Sequence, residues 1–402
     1  MSVRDPRRSF GYLFTVTMLL FTVIVFTSIR SSSGANLKMV QAIWRHGDRA
    51  PGELPYPKDK YNESYWPRGW DQLTNRGIWQ SVELGIWLRH RYGQTILPVF
   101  NKNKVFIQSS DSERAIETAQ GVSAGLFPPT DGRVWETSYL RYWQPTPIHT
   151  SYGTIDALLR PTKVDCPNYD RAKEQEEAPI AARINSAYIP MFKWLQNVTG
   201  IESIDFWNIN DLYNIQREID HNMPQPHWLI QIFNQTTIMD HIRELKRITR
   251  TQEFNSPTKA KFRGGFLVNR LLQNMEDLRA NKTTKNAIMY SSHDGTLSAL
   301  LYALNVSNDQ LIPYTATVLF ELYDDDTVQL FYKNTTNTAY PLTIPGCSQI
   351  CDYSQFLQLL ESVRVRSLDI LYSMCGTRSS SSASFTTDTT GAKSESTTST
   401  LT

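Results

Sequence analysis

The chain has 402 residues, 40% hydrophobic and 20% charged, with a net charge of +2. That length and composition suit one large folded domain carrying an insertion. So even a charge balance excludes a strongly basic nucleic-acid-binding surface, and no nucleic-acid partner is expected.

In chain order, residues 1–35 read as targeting sequence. Arg4, Arg7 and Arg8 precede an apolar stretch, Phe10 to Ile29, and the small residues Ser33-Gly34-Ala35 follow it. A short basic flank, an apolar run and small residues make a secretory signal. The run is also long enough to span a bilayer. A cleaved signal is favoured; the alternative is an uncleaved type II anchor, in which residues 10–29 tether the chain to the membrane outside the cytosol. No later segment is long and apolar enough to span a membrane.

Residues 36–135 alternate strand-like and helical segments, the pattern of an α/β domain with a mostly parallel sheet flanked by helices. The strand-like run Lys38 to Trp44 leads directly into Arg45-His46-Gly47-Asp48-Arg49-Ala50-Pro51. Paired guanidinium groups grip oxyanions bidentately, and a histidine between them can attack phosphorus or move a proton. Gly47 allows a close backbone approach, and Pro51 fixes the chain leaving the turn. Gln72-Leu73-Thr74-Asn75-Arg76-Gly77 then leads into a helix, Trp79 to Tyr92. Its Leu84, Trp87 and Leu88 fall at helical spacing, and Arg89, His90 and Arg91 suit its C-terminal dipole. A second strand, Lys104 to Gln108, is followed by Ser109-Ser110-Asp111-Ser112-Glu113-Arg114 and a helix, Glu113 to Gly121. Arg114 therefore stands near a helix N-terminus, a place that favours anions. Asp48 and Asp111 read as turn and cap residues.

From 136 to 260 the pattern is helical, polar and loop-rich, a mostly α cap insertion that roofs the site. Glu174 to Glu177 marks a helix start, and Ile184 to Leu195, Asn208 to Asp220 and Thr237 to Ile248 read as helices. His149, His221, His227 and His241 in this block are read as structural or surface histidines. His221 and Trp228 are the candidates there to line the pocket.

The α/β pattern returns over 261–376. A helix, Phe266 to Arg279, precedes a strand, Asn286 to Tyr290, and then Ser291-Ser292-His293-Asp294-Gly295. A helical segment, Thr296 to Leu304, follows. A His-Asp pair at such a strand-to-helix turn is well placed to donate a proton. Ala316 to Tyr323 and Val328 to Tyr332 read as strands around an Asp324-Asp325-Asp326 turn, and Ser354 to Tyr372 as one final helix. In residues 377–402, 17 of 26 are Ser or Thr, too polar a tail to fold. Four cysteines allow three pairings. Cys347 and Cys351, just after Pro345-Gly346, suggest a tight local bridge, which leaves Cys166 with Cys375. A zinc site is the rival for Cys347 and Cys351, but no histidine lies near them in sequence. Six Asn-x-Ser/Thr sequons, at Asn62, Asn197, Asn234, Asn281, Asn305 and Asn334, are plausible glycan sites in a translocated chain.

The Arg45–Pro51, Ser109–Arg114 and Ser291–Gly295 motifs, in this order and with the helix after Gln72, resemble those of the histidine acid phosphatases, in the phosphoglycerate-mutase-like superfamily. The resemblance runs from about Leu37 to Cys375 and is thin between about 140 and 260. It implies hydrolysis of phosphate monoesters with neither metal nor cofactor. It assigns His46 as the nucleophile that forms a phosphohistidine, Asp294 as proton donor, and Arg45, Arg49, Arg114 and His293 as phosphate ligands. It also implies the disulfides Cys166–Cys375 and Cys347–Cys351; relatives often dimerise, and a homodimer is one option for an oligomeric state that the sequence leaves open. The signal-like segment, the sequons and the cysteines together give a secreted, extracellular or lysosomal location, or else a type II membrane anchor. A further disulfide of some relatives has no cysteines here, and the C-terminal membrane helix of lysosomal members is not matched. Two other readings stand beside this one. One is a phytase or inositol-phosphate phosphatase, with Arg141, Lys163 and Arg171 as candidate additional cations. The other is an extracellular phospho-ligand-binding protein that has lost turnover, against which all six site residues are present.

Overall fold

The computed structural model describes residues 34–130, 132–139, 143–151 and 155–377. The signal or anchor and nearly all of the Ser/Thr-rich tail lie outside the described residues. In chain order the strands are β1 (Leu37–Arg45), β2 (Val105–Ser109), β3 (Ile232–Phe233), β4 (Thr236–Thr237), β5 (Ala287–Ser292), β6 (Thr317–Tyr323), β7 (Thr327–Lys333), β8 (Ala339–Leu342) and β9 (Cys351–Asp352). The helices are α1 (Asn75–Tyr92), α2 (Glu113–Leu126), α3 (Pro167–Thr199), α4 (Ile215–Asp220), α5 (Ile238–Gln252), α6 (Pro257–Arg279), α7 (Asp294–Ala303), α8 (Tyr353–Leu360) and α9 (Leu368–Cys375). No described helix is long and apolar enough to cross a membrane.

Seven strands form one mixed sheet in the order β2-β5-β1-β6-β7-β8, with β9 also paired to β7. The parallel pairs are β2 with β5 and β5 with β1, while β6, β7, β8 and β9 add antiparallel pairs. The parallel part of the sheet is thus the part that carries the sequence motifs. Alternation along β1 shows how both sheet faces are covered. Val40, Ala42 and Trp44 join a core with Leu84 and Leu88 of α1 and Ala119 and Val122 of α2. Met39 and Ile43 point the other way, into a core with Leu267 and Leu271 of α6 and Leu297 and Leu300 of α7. Gln41 shares that face and is fully buried, and its amide is satisfied by the Leu271 carbonyl and by Asn274.

The block between β2 and α6 has its own apolar cluster, built from α3, α4, α5 and the segment near Tyr56. Helix α3 absorbs both the acidic run and the Ile184–Leu195 segment, and it runs through Pro179 and Pro190. Ala181, Ile184, Tyr188, Met191 and Leu195 recur at spacings of three and four, and this stripe packs into the cap cluster. Burial of the stripe outweighs the local cost of the two prolines. The expected helix over Asn208 to Asp220 is instead a 3-10 turn, Ile209–Asn214, followed by the short α4.

One expectation fails at the C-terminal end. Ser354 to Tyr372 is not one helix but α8 and α9, separated by residues 361–367. Arg364 forks onto Glu276 at 2.7 and 2.8 Å and donates to Asn269, and Val365 donates its backbone N–H to the Gly265 carbonyl. Docking the buried Arg364 onto the half-exposed Glu276 of α6 pulls the chain out of helical geometry, and Ser367 caps the restart. Cys166–Cys375 ties the start of α3 to the end of α9 across 209 residues of sequence, and Cys347–Cys351 closes a local loop. Asn62, Asn197, Asn234, Asn281 and Asn305 are exposed, and Asn334 is partly buried.

Candidate active site

The site lies at the carboxyl ends of the three parallel strands, where open α/β sheets bind ligands. The register sets Arg45 beside Ser292 and Ser109 beside Ser291, so the three strand tips are level. The residues that leave the tips remain tied to the sheet: His46 donates its N–H to the Ser292 carbonyl, and Ser110 donates its N–H to that of Ser291. His46 and His293 thereby face each other with ring centroids 5.4 Å apart. The turn after His46 is pressed against the start of α1. A Cβ on Gly47 would sit 2.4 Å from the Gly77 carbonyl oxygen, and one on Gly77 would sit 2.1 Å from that of Asp48. Only glycine fits at either position, so the two backbones fix each other.

His46 is 2% exposed. Its Nδ1 donates to the Gly47 carbonyl at 2.8 Å, and its Nε2 accepts from Arg114 Nε at 3.2 Å. That pair of bonds selects the neutral tautomer with the lone pair on Nε2. Burial, then Arg45, His293 and Arg114, hold its pKa well below the usual histidine value. An imidazole in this setting remains a nucleophile in acid.

The cations around it are held by different partners. Arg45 donates to the Ile312 carbonyl and lies 4.0 Å over the Tyr314 ring. Arg49 and Arg114 grip the two oxygens of one carboxylate, Asp71, at 2.8 and 2.6 Å. Asp71 therefore fixes the spacing of the two guanidinium groups. Burial, with Arg217 nearby, lowers Arg49 to about 10, still charged in acid. His293 shares a 2.8 Å hydrogen bond with Ser110, and burial and Arg114 lower its pKa to about 3, so it too is neutral. Asp294, the first residue of α7, pairs with Arg250 at 2.9 Å. Burial pushes this carboxyl up, but Arg250, Arg45 and Lys246 outweigh that and leave it well below the ordinary range.

These six residues, Arg45, His46, Arg49, Arg114, His293 and Asp294, all line one cavity of about 490 Å³. Its far wall comes from the cap, through Tyr213, Arg217, Lys246 and Arg250, and from the Leu311–Tyr314 segment. The sequence did not single out Asp71, Tyr314, Arg217, Lys246 or Arg250. His221 lies outside this cavity and clamps the turn from behind, with its Nε2 2.6 Å from the Asp48 carboxylate that also accepts from Thr74. Trp228 packs in the cap core near Tyr56 and Trp194. His149 stacks on Phe106, His241 bonds to Tyr188, Thr236 and the Phe233 carbonyl, and His227 opens a 3-10 turn. Asp111 accepts from Arg160 only through its backbone carbonyl, at 3.4 Å. Lys163 and Arg171 do not line the cavity, and Arg141 lies outside the described residues. Among the described residues no group of three or more His, Cys, Asp or Glu is arranged to hold a metal ion.

Comparison with known proteins shows the family. The chain is 34% identical to rat prostatic acid phosphatase over 362 residues, covering 88% of this chain and 93% of that protein. It is 31% identical to human lysosomal acid phosphatase, covering 86% of this chain and 82% of that protein. Among solved structures, the phytase of Klebsiella sp. ASR1 superposes with a TM-score of 0.63 at 16% identity, covering 83% of this chain and 97% of that one, which speaks to the fold alone. The model of the histidine phosphatase superfamily, branch 2, matches residues 36–338, and the chain belongs to that family.

Proposed function

We propose that the protein is an acid phosphatase that hydrolyses phosphate monoesters through a phosphohistidine on His46, without a metal ion. The observation that carries this reading is the neutral His46, whose unprotonated Nε2 stands among Arg45, Arg49 and Arg114. The three guanidinium groups, with His293, hold the phosphoryl oxygens and offset the charge that builds on them. The His46 Nε2 lone pair attacks phosphorus, and the P–O ester bond breaks with its electron pair going to the leaving oxygen. Asp294 gives that oxygen its proton. Water then attacks the phosphohistidine while the Asp294 carboxylate takes a proton from it, and the P–N pair returns to Nε2. Asp294 is held ionised in the free protein, in part by Arg45. A phosphoryl dianion beside Arg45 offsets that cation, so the carboxyl takes up a proton more readily in the complex than in the free protein.

Two disulfides and the lysosomal and prostatic names of the relatives support a chain that works in the secretory pathway, secreted, extracellular or lysosomal, with residues 10–29 as cleaved signal or retained anchor. The test is hydrolysis at about pH 5, with a chelator present, of an aryl phosphate with a good leaving group and an alkyl phosphate with a poor one. Asp294→Ala should lose far more activity on the alkyl ester than on the aryl ester. Equal losses on both would remove Asp294 as the proton donor, and no hydrolysis by folded wild type would overturn the enzymatic reading in favour of phospho-ligand binding.

A further inference from the structure

The cavity holds more positive charge than one phosphoryl group requires. Arg45, Arg49 and Arg114 are assigned to the phosphoryl oxygens, and Arg250 is paired with Asp294. Arg76 is turned to the Asp220 carbonyl at the end of α4. That leaves two cap residues facing the same cavity, Arg217 from α4 and Lys246 from α5. Arg217 is 9% exposed, donates to Asn214 through Nη1, and has a buried Nε with no partner. Lys246 Nζ donates to Asn210 at 2.9 Å, and an ammonium carries three donors. Among the described residues neither makes a direct ion pair with a carboxylate; Arg217 bonds to Tyr314, and the Asp294 carboxylate acts on both only at longer range. Burial and the neighbouring Arg250 press Lys246 toward a lower pKa and outweigh Asp294 and Glu253, which act the other way. A buried guanidinium and a half-buried ammonium with unused donors are costly in an empty site and are compensated when an anion enters.

We propose that Arg217 and Lys246 form a second anion-binding subsite, so that the preferred substrate is a phosphomonoester whose leaving group carries its own carboxylate or phosphate. The proposal rests on the acid phosphatase reading and narrows it to one substrate class. The phosphoryl group sits on the sheet side at His46, and the second anion sits on the cap side. The two anions then span the cavity, and an uncharged leaving group would leave the cap cations unsatisfied.

Binding of non-hydrolysable phosphonates tests this without depending on turnover. Phosphonoacetate, 3-phosphonopropionate and 4-phosphonobutyrate would be titrated calorimetrically beside alkyl phosphonates of matched length, and beside alkylene bisphosphonates, into the wild-type chain, Lys246→Met, Arg217→Gln and Lys246→Arg. The expected result is that at least one bis-anionic ligand binds wild type about tenfold more tightly than its matched alkyl phosphonate, equivalent to about 1.4 kcal/mol. Lys246→Met and Arg217→Gln should shrink that ratio toward one, and Lys246→Arg should keep most of it. The carboxylate and bisphosphonate arms show which second anion is taken. A ratio near one in wild type, or a ratio that survives both charge-removing variants, overturns the subsite. If neither ligand class binds wild type, the phosphate-site reading falls and the subsite falls with it. If the ratio is present but esters are not hydrolysed, the subsite stands and the catalytic reading fails.

Discussion

On the sheet side of the cavity, backbone hydrogen bonds at level strand ends place His46 and His293, and the turn rests on a glycine pair with no room for a methyl group. On the cap side, Arg217, Lys246 and Arg250 reach in from helices packed by an apolar cluster of their own. One wall is fixed by main chain, the other by side chains. Main-chain placement suits an attack that needs near-perfect alignment, where errors of about 1 Å are costly. Side-chain placement suits recognition, which can be retuned by substitution without disturbing the chemistry.

The sharpest way to break this contrast is Gly77→Ala. The added Cβ would lie 2.1 Å from the Asp48 carbonyl oxygen, so the His46 turn must shift. A loss of about 10²-fold in kcat/KM is expected with the fold retained by far-UV circular dichroism. Activity within about threefold of wild type would show that the turn tolerates movement and that the rigid wall is not rigid.

Arg250→Leu probes the contact between the walls and is expected to act more mildly. Arg250 is the cation paired with Asp294, and its removal lets burial raise that carboxyl. The protonated form, which the first step needs, then persists to higher pH. The alkaline limb of kcat/KM should move up by roughly one pH unit. A limb that stays in place would show that Arg250 does not set the proton donor.

The smallest effect concerns stability of the cap. Glu218 is fully buried on α4, with its pKa pushed up from the ordinary 4.5 to about 8 by burial and by Asp59. The native state therefore takes up this proton before the unfolded state as pH falls. The penalty of a buried charge is present above about pH 8 and is relieved on acidification toward 4.5. Glu218→Gln should stabilise the protein at pH 8 by on the order of 1–2 kcal/mol and change little at pH 4.5, read by urea unfolding. Equal effects at both pH values would mean that charge at Glu218 is not what differs.

The same division explains what could be read in advance. The sheet-side residues fall in three contiguous strings at strand-to-helix turns, so their types and spacing carried the site and the parallel part of the fold. Asp71 left no local signal, because its role appears only when a left-handed turn at φ 62° brings it between Arg49 and Arg114. Lys246 and Arg250 sit on the amphipathic α5, where cations read as a solvated face until the helix is docked. Helix boundaries were missed where tertiary burial outweighs local preference: α3 runs through two prolines for its apolar stripe, and the α8–α9 break serves the Arg364–Glu276 pair.

The most direct measurement is a rapid alkaline quench during turnover of a phosphorus-labelled ester, followed by mapping of the labelled residue, in wild type and His46→Ala. Label on His46 in wild type, and none on the protein in His46→Ala, is the predicted result. Label on another residue, label that survives His46→Ala, or turnover with no labelled protein at any quench time would contradict His46 as the nucleophile.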